Sequence, residues 1–352
     1  MFRLPLPLMA RLRALCAPAA AACLAVLLAG LAGCAPAPAP LQLQGESMGS
    51  VWTVKLAAPA ERAARLQAGI QARLDRVVAQ MSPWEPDSSL SRFNAAPAGH
   101  RQMLEEEFAT VLAYALALAR DTDGAYDPSI GPLVNLWGFG PDGPRTVPDD
   151  AAIAAARARV GWQRLSFDAA TRTLEQPGGA YLDLSSIATG FGVDEVARYL
   201  ESEGVHDYLI ELGGELRAAG HRPDGQPWRI GIERPDADSA EGAPFLATLV
   251  LQDQAAGSSG DFRNFFEQAG RRYSHHIDPR TGRPVSSRLA SVTVLHAECM
   301  QADALAMAIT ALGPERGLAW AEARGLAALL VLREDEGFVE RMTPAFREAL
   351  AR

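Results

Sequence analysis

The spacing of apolar residues along the chain predicts several amphipathic helices. Over residues 60–80 apolar side chains recur every three or four positions, which places them on one stripe of a helix. Residues 82–97 are rich in turn-forming residues, and residues 121–148 hold so many Gly and Pro that we expect a functional loop there. Further helices are predicted at residues 105–120, 149–158, 186–203, 299–312, 314–324 and at the C-terminus.

Shorter apolar stretches predict strands, most of them in the second half of the chain. They cover residues 51–56, 164–167, 172–176, 180–184, 208–212, 216–219, 228–232, 245–251, 262–267, 272–275, 289–295 and a hairpin at 326–340. This order favours an α+β fold, with mixed or antiparallel sheets packed against helices. No polar linker interrupts the chain after residue 44, so residues 45–352 are expected to form one domain.

The first 33 residues have the pattern of an export signal. Three arginines precede an Ala/Leu-rich stretch that ends in Leu-Ala-Gly before Cys34. This pattern predicts a lipoprotein signal peptide at residues 1–33, with Cys34 lipidated as the first mature residue; a plain signal peptide or an anchor helix is the alternative. Residues 34–44 contain a Pro repeat and predict a stiff tether. We therefore expect a lipid-anchored membrane protein of the cell envelope that faces the periplasm.

Charge and cysteine content narrow the possible partners. The 352 residues carry a formal net charge of −9, and Lys55 is the one lysine in the sequence. An acidic chain of this kind is not expected to take nucleic acid as its main partner. Removal of the signal peptide leaves Cys34 for the lipid and Cys299 alone, so the mature chain has no intramolecular disulfide and its stability must come from the core.

Two glycine-containing segments are candidates for ligand binding. Residues 183–192 (DLSSIATGFG) run from a predicted strand into a helix, and the amides of a helix start favour an anion such as phosphate. Plain N-capping by Asp, Ser and Thr accounts for the same residues. Gly213 and Gly214 follow a predicted strand and permit close backbone approach, which a hairpin or bulge explains equally well.

Titratable residues suggest where chemistry takes place. His275 and His276 lie together at a strand end, and an imidazole acts as a general base near neutral pH. Asp278 is placed either to cap the following turn or to orient an imidazole. Asp303 lies in an otherwise apolar helix, where it is costly to bury unless it is paired, capping or bound to metal. Met307 lies one turn later on the same face.

An aromatic loop completes the candidate segments. Residues 124–141 combine Tyr, Trp and Phe with several glycines. Such rings either sandwich a planar heterocycle or form a wedge of the core beneath a loop.

Taken in order, these segments resemble the ApbE family, the FAD:protein FMN transferases. The resemblance covers residues 45–340 approximately, and its motifs are weak one by one but specific in their joint order. The motifs are 45–50 (GESMGS), 81–84 (MSPW), 89–94 (SLSRFN), 123–127 (DGAYD), 136–141 (LWGFGP), 183–185 (DLS), 213–215 (GGE), 259–261 (SGD), His275 with 277–279 (IDP), and 302–303 (AD).

The resemblance implies a reaction and a set of site residues. It implies an ApbE-like flavin transferase fold and Mg²⁺-assisted transfer of FMN from FAD to a Thr or Ser hydroxyl of a target flavoprotein, with release of AMP. The metal ligands would be the backbone carbonyl of Ser186, the carboxylate of Asp303 and the side chain of Met307. His275 and Asp183 are the implied catalytic residues. The positions that match the family's FAD-binding residues are Met48, Trp84, Ala125, Tyr126, Asp127, Asp183, Thr189 and His276.

Two positions depart from the family pattern. Thr189 stands where the family usually has a lysine, so a cation directed at phosphate is missing. Met307 stands where a threonine is usual, and a thioether is a poor ligand for Mg²⁺. Two other readings therefore stay open: a non-catalytic FAD-binding envelope lipoprotein that acts as a maturation accessory, and an FAD pyrophosphatase that gives FMN and AMP. The expected partner is a flavoprotein acceptor subunit of an envelope redox complex.

Overall fold

The structure is a computed structural model that describes residues 40–235, 245–262, 264–285, 288–335 and 337–351. The predicted signal peptide, Cys34 and residues 34–39 of the predicted tether lie outside the described residues. Residues 40–44, also predicted as tether, are instead part of a strand that pairs with its neighbour. None of the helices in the described part of the chain has the length and apolar character needed to cross a bilayer.

Helices occupy both halves of the described chain. They are α1 (Ala63–Met81), α2 (Ser89–Ala95), α3 (Glu106–Asp121), α4 (Gly131–Leu136), α5 (Asp150–Arg157), α6 (Ala188–Ser202), α7 (Cys299–Leu312), α8 (Pro314–Ala323) and α9 (Pro344–Leu350).

Strands are concentrated after α6. They are β1 (Pro40–Ser47), β2 (Ser50–Ala57), β3 (Arg101–Met103), β4 (Ser166–Asp168), β5 (Thr173–Glu175), β6 (Tyr208–Leu212), β7 (Glu215–Ala219), β8 (Trp228–Ile232), β9 (Ala247–Leu251), β10 (Gln254–Gly260), β11 (Phe265–Gln268), β12 (Arg271–Ser274), β13 (Ile277–Asp278), β14 (Arg283–Pro284), β15 (Leu289–His296), β16 (Ala327–Glu334) and β17 (Gly337–Met342).

The main sheet is antiparallel and has eight strands within the described residues. Its order is β1-β2-β6-β7-β10-β15-β16-β17. Smaller sheets are formed by β3-β5-β4 and by the pairs β8-β9, β11-β12 and β13-β14. This arrangement confirms the predicted α+β class with antiparallel sheets.

The two faces of the main sheet are covered by different layers. Along β16, Leu330 and Leu332 join a core that includes side chains of α3, α6 and α7, whereas Leu329 and Val331 join a core with the β8-β9 hairpin and α9. This alternation follows from the two-residue period of a strand that is buried on both faces. The helical layer is the one that positions the site, because α7 packs directly on β10.

Most predicted elements occur within a few residues of their expected bounds, and the exceptions have physical reasons. The predicted strand at residues 180–184 is wrong. Apart from one isolated bridge between Ile130 and Tyr181, these residues form no β-ladder. The sequence of β10 is QAAGSSG, whose small residues carry no alternating apolar signal. Within the turn-rich segment, Ser88 caps α2 by accepting a hydrogen bond from the amide of Ser91.

Candidate active site

A cleft of about 840 Å³ lies where the start of α6, the β6-β7 turn, β10 and α7 meet. Six of the predicted catalytic, FAD-binding and metal-ligating residues line it: Ser186, Thr189, His275, His276, Asp303 and Met307. The structure therefore brings together the predicted helix start, the two histidines and the predicted metal-ligating face of α7.

The start of α6 is held against α7 by three contacts. The amide of Gly190 donates a 3.0 Å hydrogen bond to Asp303 Oδ2. A Cβ at Gly190 would lie 2.4 Å from the carbonyl oxygen of Cys299, so only glycine permits this approach. Asp194 of α6 caps α7 by accepting from the amides of Cys299 and Met300 at 3.0 and 2.9 Å. These contacts fix the Asp303 carboxylate beside the first turn of α6.

Beneath α7, the main sheet contributes a second carboxylate. Gly213 and Gly214, both at positive φ, form the two-residue turn between β6 and β7. The two glycines therefore form a hairpin, which was one of the explanations given for them from the sequence. Glu215 follows as the first residue of β7, and the pairing of Leu216 with Ala256 places it beside Gly257 on the next rung. A Cβ at Gly257 would lie 2.4 Å from the amide nitrogen of Asp303. Glu215 thus lies on the sheet face that α7 covers.

Both carboxylates are buried and carry perturbed pKa values. Burial raises the pKa of Asp303 to about 7, although the hydrogen bond from Gly190 opposes this shift. Burial also raises the pKa of Glu215 well above its usual value, and the charge of Asp303 adds to the effect. Glu215 is 5% exposed, and its Oε2 has no hydrogen-bond partner among the described residues. Two desolvated carboxylates with an unpartnered oxygen fit a hard divalent cation, which prefers oxygen ligands.

The two histidines are held in different ways. His275 Nδ1 lies 2.9 Å from the carbonyl oxygen of Asn264, which places the proton on Nδ1 and leaves Nε2 as a free base. Burial lowers the pKa of His275, so the ring is neutral at pH 7. His276 Nε2 lies 3.1 Å from Ser259 Oγ. Burial, followed by the adjacent His275, lowers the pKa of His276 well below its usual value.

Asp278 was predicted either to cap the following turn or to orient an imidazole, and in the structure it caps the turn. Its Oδ1 accepts hydrogen bonds from the backbone amide and from Nε of Arg280, at 2.9 and 2.8 Å. The Arg280 guanidinium also donates to the carbonyl of Ala311 at the end of α7. This ion pair ties the segment after the histidines to the helix that carries Asp303.

The aromatic loop forms a wedge of the core beneath the histidine segment. Trp137 is 1% exposed, stacks on Tyr273 at 5.7 Å and donates from Nε1 to the carbonyl of Gly282. Phe139 meets the His275 ring edge-on at 6.2 Å. The loop therefore supports the histidine segment from below, which is the core-wedge alternative stated for it.

Six of the predicted FAD-binding or catalytic residues do not line the cleft: Met48, Trp84, Ala125, Tyr126, Asp127 and Asp183. Ala125 and Tyr126 are buried, and Tyr126 is linked to the cleft through a 3.3 Å hydrogen bond from Ser186 Oγ to its hydroxyl. Asp127 is occupied by three donors, the amide and hydroxyl of Ser129 and the amide of Trp162. The loop carrying these residues borders the site without opening into the cleft.

The other three of these residues are Asp183, Met48 and Trp84, and each has a different environment. Asp183 accepts from the amide of Ser185 at 2.9 Å, which shapes the turn before α6. Met48, at φ 51°, has its terminal methyl against Gly192 of α6. Trp84 is 59% exposed, so its ring is available to a ligand or to solvent.

Glu215 and Ser259 line the cleft, and the sequence motifs that contain them gave neither residue a role. Glu215 ends the GGE motif, and Ser259 begins the SGD motif. Ser259 Oγ bridges His276 Nε2 and Met307 Sδ, at 3.1 and 3.9 Å. Both residues become visible as site residues only when β7, β10 and α7 are packed together.

The cleft gathers carboxylate oxygens for a hard cation, neutral imidazoles and the amides of a helix start. These are the groups that an enzyme uses to transfer a phosphoryl group. The family model described as "ApbE family" matches residues 48–330. The chain belongs to the ApbE family.

Similar proteins cover almost the whole chain. The FAD:protein FMN transferase of Vibrio cholerae is 42% identical over 325 residues, which are 92% of this chain and 96% of that protein. The FAD:protein FMN transferase of Haemophilus influenzae is 39% identical over 90% of this chain and 94% of its own length.

Solved structures of flavin transferases are similar to this chain over most of its length. The flavin transferase ApbE from Vibrio cholerae has a TM-score of 0.82 at 41% identity and covers 90% of this chain and 100% of its own. The apo form of the Pseudomonas stutzeri flavinyl transferase ApbE has a TM-score of 0.81 at 41% identity, covering 90% and 98%. The predicted ApbE-like fold is confirmed.

Proposed function

We propose that this protein transfers FMN from FAD to a hydroxyl group of a target protein, with AMP as the leaving group. The observation that carries the proposal is that His275, His276, the start of α6 and the carboxylate of Asp303 line one cleft. Membership of the ApbE family, together with relatives named FAD:protein FMN transferase, supports the same activity.

His275 is the group placed to handle the proton of the acceptor hydroxyl. Its Nδ1–H is committed to the Asn264 carbonyl, so Nε2 is free to accept the proton. The hydroxyl oxygen then bonds to the phosphorus of the FMN half of FAD. The bond from that phosphorus to the bridging oxygen breaks, and AMP leaves with the bridging oxygen and its charge.

The start of α6 is the part of the cleft suited to the phosphates. Ser186 and Thr189 offer hydroxyl groups there, and a helix N-terminus carries a partial positive charge. Thr189 supplies a hydrogen bond where the family usually supplies a lysine charge, so phosphate binding relies more on the backbone of α6.

Mg²⁺ is part of the proposal, and the carboxylate of Asp303 with the carbonyl of Ser186 would hold it. When bound, it would neutralise charge on the phosphoryl oxygens. The buried, partly unpaired carboxylates in the cleft are the observation that favours such a cation. Met307 adds no oxygen ligand, since its side chain ends in a thioether.

The cellular placement is also a proposal, and it rests on the sequence. Residues 1–33 act as a lipoprotein signal peptide, Cys34 carries the lipid, and the body from residue 45 onward faces the periplasm. There it modifies a flavoprotein subunit of an envelope redox complex. Replacement of Cys34 with Ser is expected to move the protein from the membrane fraction to the soluble periplasm; retention in the membrane would contradict lipidation at Cys34.

A direct test of the activity uses purified protein, FAD, Mg²⁺ and a flavoprotein subunit that carries a candidate acceptor threonine. Covalent transfer is expected to give in-gel flavin fluorescence on the acceptor and an equal amount of AMP. Free FMN and AMP without labelling would instead indicate an FAD pyrophosphatase. Retained, intact FAD would indicate a non-catalytic binder.

A further inference from the structure

The side chain of Glu215 is a buried carboxylate with an oxygen that nothing in the described protein satisfies. It is 5% exposed, and Oε2 has no hydrogen-bond partner within the part of the chain that the structure describes. Oε1 accepts a long hydrogen bond of 3.4 Å from the amide of Ser258. A buried acceptor without a donor is destabilising, and more so when it is charged, so this oxygen requires a partner that the described residues do not provide.

The position of Glu215 in the sheet directs it toward Asp303. Residues opposite each other in an antiparallel pair point to the same face, and Glu215 stands beside Gly257. Because Gly257 has no side chain, α7 approaches β10 until Ala302 and Asp303 contact its backbone. Glu215 and Asp303 thus line the same cleft from the sheet and from the helix.

Neither carboxylate is neutralised by a protein cation. No ion pair between the described residues involves Glu215 or Asp303; the nearby Arg217 pairs with Asp194 instead. A proton on Glu215 would remove the charge of one carboxylate only. A divalent cation would neutralise both carboxylates and take the unpartnered Oε2 as a ligand.

We propose that Glu215 is a ligand of the divalent cation at Asp303, and that it supplies the oxygen that Met307 does not provide. The proposal rests on the proposed function only in placing a cation at Asp303. The amide of Gly190 donates to one oxygen of Asp303, so the other oxygen of Asp303 and the Oε2 of Glu215 would be the carboxylate oxygens that hold the cation. The proposed ligands are then Asp303 of α7, Glu215 of β7 and the backbone carbonyl of Ser186 before α6.

The test measures binding of Mn²⁺ to the protein without any nucleotide, by electron paramagnetic resonance or calorimetry. Glu215→Gln keeps the size of the side chain and removes its charge, and we expect at least a tenfold loss of Mn²⁺ affinity. Glu211→Gln is the matched control, because Glu211 lines the same cleft in the same hairpin while its carboxylate is bonded to the Gly214 amide. The control is expected to bind Mn²⁺ within threefold of the unmodified protein.

The melting temperature with and without Mn²⁺ shows whether Glu215 binds the cation or only supports the fold. Without metal, Glu215→Gln is expected to melt at or above the temperature of the unmodified protein, since a like charge is removed beside Asp303. Its gain in melting temperature on adding Mn²⁺ is expected to be smaller. Equal Mn²⁺ affinity in the variant and the unmodified protein, or an equal drop in the Glu211→Gln control, would overturn the proposal.

Rescue provides a second line of proof. Adding Met307→Thr to the Glu215→Gln variant introduces a new hydroxyl ligand on the same face of α7, and it is expected to recover most of the lost affinity. If no affinity returns, Glu215 does not compensate for Met307. These outcomes are independent of acceptor labelling, so Mn²⁺ binding through Glu215 stands or falls separately from FMN transfer.

Discussion

The amide of Gly190 donates a 3.0 Å hydrogen bond to Asp303 Oδ2, and this bond joins the first turn of α6 to the middle of α7. The same turn of α6 carries the amides and hydroxyls proposed to hold phosphate. The carboxylate proposed to hold the cation is therefore fixed relative to the phosphate site by a main-chain contact. Such fixed geometry is what phosphoryl transfer requires, because its catalysis depends on positioning and charge.

Asp303→Asn tests the charge at this position with little change in shape. The amide oxygen of Asn can still accept from Gly190, so the α6–α7 contact is retained. We expect the rate of acceptor labelling to fall on the order of 100-fold at fixed Mg²⁺, because a charged ligand is lost. Labelling at the rate of the unmodified protein would show that no cation is bound at Asp303.

His275→Asn tests the proposed base. The Asn amide can replace the Nδ1–H that donates to Asn264, but it has no counterpart to Nε2. The labelling rate is expected to fall about 10²–10⁴-fold with little change in FAD affinity. Single-turnover labelling and fluorescence titration with FAD measure the two effects; a loss of less than tenfold in rate would exclude His275 as the base.

Met307→Thr restores the residue type that is usual in the family. A hydroxyl is a better Mg²⁺ ligand than a thioether, so Mg²⁺ affinity or the labelling rate is expected to rise about threefold or more. Met307→Leu is the control, since it keeps the apolar volume and adds no ligand. No change in affinity or rate would mean that position 307 is not a ligand position in this protein.

The stability of the protein without added metal should depend on pH through Asp303. Its pKa is about 7 in the folded state against 3.8 as the ordinary value, so the folded state binds more protons over that interval. The free energy of unfolding should therefore fall as pH rises from about 4 to about 7 and level off above. Glu215, whose pKa is also raised by burial, adds a slope of the same sign.

Urea denaturation at several pH values, in chelator, measures this slope. Asp303→Asn should flatten it, and added Mg²⁺ should stabilise the unmodified protein more at pH 8 than at pH 5, because protons and Mg²⁺ compete for the carboxylate. Parallel pH profiles for the variant and the unmodified protein would contradict the assigned pKa.

Gly257→Ala tests the close packing of α7 on β10. The new Cβ would lie 2.4 Å from backbone atoms of Ala302 and Asp303, which cannot move as a flexible side chain would. We expect a loss of about 2 kcal/mol in the free energy of unfolding. Metal affinity should fall as well, because Asp303 is displaced from Glu215; a melting temperature within one degree of the unmodified protein would show that the helix adapts.

The sequence predicted long elements well because their patterns are local. The stripe of apolar residues in α1 and the apolar run of α7 both predict helices without tertiary information. β10 was not predicted, because its residues are small and give no alternating apolar pattern. Their small size permits close contact with α7, and this contact cannot be read from the sequence. Likewise residues 40–44 were predicted as the end of a Pro-rich tether, but they belong to β1, because β2 pairs with them.

The site was predictable where the chemistry depends on residue type. Two adjacent histidines and a lone Asp303 in an apolar helix suggested function, and all three line the cleft. Glu215 was not identified, since an acidic residue after two glycines is ordinary in a hairpin. Its burial arises from pairing with β10 and from the absence of a side chain at Gly257, which are both tertiary effects.

Cys299 is fully enclosed at the start of α7, and burial raises the pKa of its thiol well above the usual value. A thiol in this state is a weak nucleophile and resists oxidation. From residue 35 onward the sequence contains no second cysteine with which it could pair. We therefore expect the domain from residue 45 onward to fold without an oxidase or a disulfide isomerase, and to be equally active when it is produced in a reducing cytoplasm or in an oxidising compartment.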